Sequence, residues 1–202
     1  MDPHGRFFAF WSRFYEATPI LAPLLRRQQD LAIERLAARP GDRVLDLSCG
    51  PGRGLERLAA SGARPVGLDF SDGMLDHAAR RGPAVRGDAL RLPFRDRAFA
   101  GLLCTNAFHH YPEPVHALAE MRRVLAPGGR AVLVDPSLDS WLARLTIYGG
   151  EALAFGMSVH LHAPADWLSM CRQAGFDGST VEHIGSMGPM PRTSVLIVAR
   201  RP

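Results

Sequence analysis

Between residues 43 and 136, short apolar runs alternate with segments of helical spacing, and this alternation constrains the fold more than any other feature of the chain. Runs such as RVLDLS (43–48), RPVGLD (64–69) and RAVLVDPS (130–137) are bounded by turn-forming residues. The segments between them repeat apolar residues every three or four positions. Strands separated by helices of this length form βαβ crossovers, so the pattern predicts an α/β fold with helices on both faces of a parallel sheet.

The last two strand candidates, GSTVEHIGS (178–186) and RTSVLIVARR (192–201), have no helix between them and are expected to pair antiparallel. The full prediction is a Rossmann-like, seven-stranded, mostly parallel sheet whose last strand is antiparallel. Residues 1–38, with Pro19 and Pro23 as interruptions, predict two helical pieces that form an N-terminal helical cap. Residues 39–202 then form the main domain, in which 138–162 is a variable insertion on the substrate side.

Composition narrows the class of protein. The chain has 202 residues, and its 24 basic residues, all arginine, against 20 acids leave a net charge of +4 without any long basic run, so no nucleic-acid partner is expected. Three widely separated cysteines predict no disulfide framework. Nowhere do eighteen apolar residues run together, so we expect a cytoplasmic protein without a membrane span.

The segment VLDLSCGPGRG (44–54) places an acid and several glycines at the end of the first strand. Gly50 and Gly52 lack a Cβ, so a bulky ligand can approach the turn. A dinucleotide site needs a further glycine where Leu55 stands, and a P-loop needs a lysine, which the chain lacks. Asp46 would repel a pyrophosphate and instead favours a cationic or amine-bearing ligand.

Two more acids end neighbouring strands. Asp69 follows Gly50 by nineteen positions, where a carboxylate can take both hydroxyls of a ribose or cap the next helix, and Phe70 beside it offers a ring face to adenine. Asp88 ends the third strand, where a short acid can meet the exocyclic amine of a purine. Ligands of open parallel sheets bind beyond the carboxyl ends of the strands, so these acids are expected to share one site.

From about residue 40 to 136 the chain resembles the class I S-adenosylmethionine-dependent methyltransferases, within the UbiE-like small-molecule group. The resemblance rests on four segments in the family's order: VLDLSCGPGRG, GLDFSDGML, GDALRLPFRDRAF and VLAPGGRAVLVD. It implies S-adenosylmethionine as cofactor and a small, partly apolar molecule as acceptor of the methyl group on O, N or C. A monomer or homodimer is expected.

The resemblance also implies a set of cofactor-binding residues, divided by the part of the cofactor they hold. The methionine part falls to Asp46 and the backbone from Gly50 to Gly52, the ribose to Asp69, and the adenine to Phe70, Met74, Asp88 and Ala89; Ser48 and Asn106 complete the set. Ser48 departs from the family, which usually has a glycine there. CTNAFHH (104–110) lacks the Asn-Pro-Pro-aromatic signature of enzymes that methylate nucleic-acid bases.

Methyl transfer is an in-line displacement that depends mainly on alignment, and a base helps when the acceptor is a hydroxyl or an acidic carbon. Histidine suits this task at neutral pH. The candidate catalytic residues are His109 and His110 after the fourth strand and His160 and His162 in SVHLHAP (158–164). No third ligand accompanies the paired histidines at a convincing spacing, so no metal site is predicted.

Aromatic and apolar side chains outside the strands predict a lid that excludes water from the site. They belong to the N-terminal helices and to the insertion at 138–162: Phe7, Phe8, Phe10, Trp11, Phe14, Tyr15, Trp141, Tyr148, Phe155 and Met157. Packing of the N-terminal group against the edge of the sheet is the plainer alternative. Two other functions stay open: a nicotinamide-dependent oxidoreductase, and a non-catalytic protein that binds S-adenosylmethionine.

Overall fold

The computed structural model describes residues 21–154, 156, 158–185 and 193–202. Its helices are α1 (Leu21–Leu36), α2 (Arg53–Ala60), α3 (Asp72–Ala78), α4 (Pro114–Val124), α5 (Trp141–Arg144) and α6 (Pro164–Gln173). Its strands are β1 (Arg43–Leu47), β2 (Arg64–Asp69), β3 (Ala84–Arg86), β4 (Phe99–Thr105), β5 (Leu125–Pro136), β6 (Asp177–Ile184) and β7 (Ser194–Arg200). A short 3-10 turn covers Phe108–His110, and a π-helical segment covers Leu145–Ala154.

The seven strands form one sheet in the order β3-β2-β1-β4-β5-β7-β6. Strands β1 to β5 pair parallel, whereas β7 pairs antiparallel with both β5 and β6. The strand order reverses between β1 and β4, which lie side by side, and this is where open α/β sheets place ligands. The predicted seven-stranded, mostly parallel sheet with an antiparallel last strand is confirmed.

Side chains that alternate along the strands fill two hydrophobic cores, one on each face of the sheet. On one face, Leu45 and Leu47 of β1 pack with residues of α4 and α6, including the fully buried Trp167. On the other face, Val44 packs with Ala32 and Leu36 of α1. The helix α1 is thus held on the sheet beside the edge where the ligand site is expected.

Pro23 lies within α1 as the structure describes that helix. Two local features differ from the sequence prediction. The strand β5 begins at Leu125 rather than Arg130, because the Pro-Gly-Gly turn is absorbed as a register shift opposite β4. The predicted amphipathic helix after residue 138 is a short α-helix that continues as π-helix.

The predicted helical cap and lid are only partly covered by the structure. Residues 1–20, with the six N-terminal aromatic residues, and Phe155 and Met157 lie outside the described residues. Trp141 is 59% exposed and Tyr148 40% exposed, whereas Ile147 packs inward against Val159 and Leu161. In the described range, no helix combines the length and apolar character that a bilayer crossing needs.

Candidate active site

The glycine turn, residues 48–52, connects β1 to α2 at the carboxyl edge of the sheet. Gly50 has φ +54° and Gly52 φ +89°, both in the left-handed region that glycine adopts without strain. A Cβ added at Gly50 would meet no atom of the described residues within 4 Å, so the described part of the chain leaves the space before the turn open to a ligand. A Cβ at Gly52 would lie 2.8 Å from the Ala78 Cα, so this glycine is needed for packing against α3 rather than for ligand approach.

Asp46 points from β1 toward the start of α2 and is 1% exposed. Burial, followed by the nearby charge of Asp69, raises its pKa to about 7. Among the described residues its Oδ2 atom has no hydrogen-bond partner. A Cβ added at Gly54 would lie 2.2 Å from this same Oδ2, so the first turn of α2 rests directly on the carboxylate. A buried, unsatisfied carboxylate at the ligand edge fits a cationic group.

Asp69 joins the end of β2 to the glycine turn. Its Oδ2 accepts a hydrogen bond from the Gly50 N–H at 2.8 Å, and its Oδ1 accepts one from the Ser71 N–H at 2.9 Å. Burial raises the pKa of Asp69, and the backbone hydrogen bonds oppose that rise. Capping the next helix is the role of Ser71, which accepts from the Met74 N–H. Asp69 therefore fixes the turn and retains further lone pairs toward the ligand edge.

The predicted adenine residues gather next to Asp69, with different exposures. Phe70 is 51% exposed, and the Arg86 guanidinium lies 5.6 Å from its ring centre. Asp88 is exposed, and its Oδ1 accepts from the Leu90 N–H at 2.9 Å. Met74 and Ala89 are buried, so they contribute walls beneath this surface rather than open contact area.

A cleft lies between α1 and the glycine turn. Ser48, Gly50 and Asn106 line it from the sheet side, and Arg26 and Gln29 of α1 line it from the opposite side. Gln29 Nε2 donates to the Thr105 hydroxyl at 3.4 Å, which ties α1 to the end of β4. The sequence prediction missed Arg26 and Gln29, because helical spacing alone does not show which side chains of α1 meet the site.

The histidines predicted as bases fall on two segments that the structure brings together. His109 is 2% exposed, and its Nδ1 lies 2.9 Å from Asp135 Oδ1. Asp135 is fully buried at the end of β5, and its Oδ2 has no hydrogen-bond partner in the described part of the chain. The carboxylate favours the tautomer with the proton on Nδ1, which leaves the lone pair on Nε2.

The other three histidines surround this pair. The His110 ring centre lies 4.1 Å from that of His109. The His160 N–H donates to the His109 carbonyl at 2.7 Å, while the exposed His160 side chain lies 3.3 Å from the Ser158 hydroxyl. The His162 ring lies edge-on to Phe108 and Trp167. Burial lowers the pKa of His162, so this side chain is neutral at pH 7. No cluster of three metal-ligating side chains occurs within residues 21–154, 156, 158–185 and 193–202.

Asp135 is a site residue that the sequence prediction missed. It ends a strand, as Asp46 and Asp69 do, and the same rule applied to RAVLVDPS would have selected it. The carboxyl edge of the sheet thus carries a carboxylate on the last or the last-but-one residue of β1, β2 and β5. The first two face the glycine turn, and the third holds a histidine.

Comparisons with known sequences show which proteins this chain resembles. A model of the methyltransferase domain family matches residues 45–133, which run from β1 to β5. A demethylmenaquinone methyltransferase of Beutenbergia cavernae is 41% identical over 155 residues, which are 73% of this chain and 65% of that protein. One from a Mycobacterium species is 44% identical over 114 residues, 56% of this chain and 50% of that protein. The chain thus contains a segment that matches the methyltransferase domain family. The predicted UbiE-like resemblance is confirmed.

Solved structures show the same fold as this chain. A chain from the complex between the Haloferax volcanii Trm112 methyltransferase activator and a methyltransferase superposes with a TM-score of 0.77 at 21% identity, covering 96% of this chain and 97% of that one. Phosphoethanolamine N-methyltransferase 2 of Haemonchus contortus, in complex with S-adenosylmethionine, gives 0.73 at 15% identity over 87% of this chain and 52% of that one. At these identities the likeness concerns the fold.

This chain spans one half to two thirds of the length of the two demethylmenaquinone methyltransferases described above. The edge of its sheet nevertheless contains the parts that S-adenosylmethionine needs. An open space before Gly50 accepts a ligand at the backbone, and the orphaned Asp46 oxygen suits a cationic amino-acid end. The residues present therefore fit S-adenosylmethionine.

Proposed function

We propose that this chain transfers the methyl group of S-adenosylmethionine to O, N or C of a small, partly apolar molecule. One observation carries the proposal: the Asp69 carboxylate at the end of β2 accepts a hydrogen bond from the Gly50 N–H at 2.8 Å. This bond joins the end of β2 to the turn that follows β1, so the two strand ends form one ligand edge beside the buried Asp46. A nicotinamide-dependent oxidoreductase receives no support, since the proteins compared above are methyltransferases.

We assign the cofactor to the residues at this edge according to their chemistry. Asp46, with Ser48 and the Gly50–Gly52 backbone, takes the methionine part, and Asp69 takes the ribose hydroxyls. The adenine lies by Phe70 and Asp88 above Met74 and Ala89, with Asn106 at the cleft wall. S-adenosylmethionine supplies an activated methyl group on a sulfonium, and the chain supplies alignment and exclusion of water.

Among the four histidines, we propose His109 as the general base. Its pairing with Asp135 orients the ring and holds one proton on Nδ1, and we assign Nε2 as the atom that takes the proton of an acceptor hydroxyl or acidic carbon. The Asp135 carboxylate then stabilises the imidazolium. The neutral His162 is the second candidate; His110 and His160 complete the polar surroundings.

The proposed function assigns a role to each of three ranges of the chain. Residues 39–202 form the methyltransferase domain, 138–162 its substrate-side insertion, and 1–38 a helical cap of which α1 is the described part. Exposed Trp141 and Tyr148 would have to turn inward to act as a lid. We further propose a cytoplasmic monomer or homodimer that does not act on nucleic acid.

Calorimetric titration with S-adenosylmethionine and S-adenosylhomocysteine tests the proposal. Saturable binding is expected, and Asp69→Ala abolishes it while the control Asp72→Asn, an exposed acid of α3, retains it. Because similar proteins bear the name demethylmenaquinone methyltransferase, a demethylmenaquinone analogue is the first acceptor to test for S-adenosylhomocysteine formation. A wild-type protein that binds NADH but neither adenosyl ligand would contradict the proposal, and binding without turnover on any acceptor would favour the non-catalytic alternative.

A further inference from the structure

Ser48 follows β1 with a backbone conformation that glycine adopts more readily than serine. Its φ is +53°, in the left-handed region where a Cβ crowds the backbone. Serine is therefore a disfavoured residue here on conformational grounds. Its hydroxyl, however, lies 2.7 Å from the Tyr111 hydroxyl in a hydrogen bond that no glycine could make.

Tyr111 is placed for this contact by the 3-10 turn after β4. Its ring is 5.2 Å from that of Phe108, and its hydroxyl also lies 3.6 Å from Cys104 Sγ. Burial raises the pKa values of Tyr111 and Cys104, so both groups keep their protons at neutral pH. When the thiol donates to the phenol oxygen and the phenol donates to the Ser48 oxygen, the Ser48 proton is left for an acceptor in the cleft.

The surroundings of Ser48 define what that acceptor is. Ser48 lines the cleft with Gly50 and Asn106, while Asp46 lies two residues earlier with an orphaned carboxylate oxygen. A hydroxyl donor next to a carboxylate suits the two charged ends of an amino acid: the ammonium group pairs with the carboxylate, and the acid end pairs with the donor.

We infer that Ser48 binds the amino-acid carboxylate of the cofactor and that Tyr111 is a positioning residue that directs the Ser48 hydroxyl toward it. The inference rests on the proposed function. It assigns to Ser48 a side-chain contact that a glycine at this position could not make.

Ser48→Ala, Ser48→Gly, Tyr111→Phe and the double variant Ser48→Ala/Tyr111→Phe test it. Calorimetry compares two ligands: S-adenosylhomocysteine, which carries the amino-acid end, and 5′-methylthioadenosine, which lacks it. We expect each single variant to weaken S-adenosylhomocysteine binding about fivefold or more and to leave 5′-methylthioadenosine binding unchanged. The double variant should bind no more weakly than Ser48→Ala, because Tyr111 acts through Ser48.

Two results would overturn this inference and leave the proposed function standing. One is wild-type affinity for S-adenosylhomocysteine in all three single variants, and the other is an equal loss of affinity for both ligands, which indicates a distorted turn. Ser48→Gly guards against misfolding, because it removes the hydroxyl and the backbone strain together. Wild-type protein that binds neither ligand would overturn the proposed function and this inference with it.

Discussion

Asp69 Oδ2 accepts the Gly50 N–H at 2.8 Å, so the end of β2 holds the turn that follows β1. Its other oxygen accepts the Ser71 N–H at the start of α3. One carboxylate therefore fixes two neighbouring segments of the ligand edge. A substitution there has to affect both the fold and the cofactor.

Asp69→Ala should lower the free energy of unfolding by about 2 kcal/mol, because two partly buried N–H groups lose their acceptor. Asp69→Asn keeps one acceptor oxygen and should lose about half as much. Urea denaturation measures both, with Asp72→Asn as the matched surface control. Equal stability of Asp69→Ala and wild type would show that the turn does not depend on this carboxylate.

The raised pKa of Asp46 predicts that the stability of the folded chain depends on pH and that a cationic ligand changes this dependence. The Asp46 pKa of about 7 means that the folded chain holds a proton that the unfolded chain releases near pH 4, so stability falls as the pH rises through this window. A cationic ligand pairs with the ionised form, so S-adenosylmethionine should raise the melting temperature more at about pH 8 than at about pH 6.

Asp46→Asn should remove this difference, because an amide does not titrate in that range. Thermal melting with and without S-adenosylmethionine across the pH series measures the effect. Identical pH dependence in wild type and Asp46→Asn would contradict the assignment of Asp46 as the titrating group.

The His109–Asp135 pair predicts an effect on turnover that is separate from cofactor binding. Asp135→Asn removes the charge that stabilises a protonated His109, so turnover on a suitable acceptor should fall about 100-fold while cofactor affinity stays within about twofold. His109→Gln should lose turnover similarly.

Initial rates and calorimetry on the same preparations measure the two effects, and His77→Gln, an exposed histidine of α3, is the control. If His109→Gln kept full turnover while His162→Gln lost it, the base would be His162.

Gly54→Ala should be destabilising by about 1–3 kcal/mol, since the new Cβ would lie 2.2 Å from Asp46 Oδ2 and α2 would have to move. Gly149→Ala is the matched control, because its Cβ would meet only Leu145 Cδ1 at an ordinary 3.8 Å. Differential scanning calorimetry compares the two. A Gly54→Ala protein as stable as Gly149→Ala would mean that α2 does not rest on the Asp46 carboxylate.

The sequence pattern predicted the parts of this fold that depend on local periodicity. The strand Arg64–Asp69 and the Ser71 cap of α3 agree with the structure, because apolar alternation and capping are local signals. The early start of β5 could not be predicted, since Pro127 and Gly128 are typical of a turn and only pairing with β4 draws Leu125 into the strand.

The site was predictable where acids end strands and not where distant segments meet. Asp46 and Asp69 follow from strand ends near the glycine turn. Asp135 obeys the same rule, but its importance depends on His109, which lies 26 positions away in the sequence. Likewise the Ser48–Tyr111 contact spans 63 positions, and no local pattern relates those two residues.

The antiparallel direction of β7 has a practical consequence for handling the protein. Because β7 begins opposite Pro136 and ends opposite Arg130, Arg201 lies beyond the amino-terminal ends of the parallel strands, where its backbone pairs with Gly128 and Gly129. A tether or reporter fused after Pro202 would therefore leave from the edge of the sheet that is opposite the cleft. Immobilisation through that end should present the cleft to solution, which suits surface-based ligand screening.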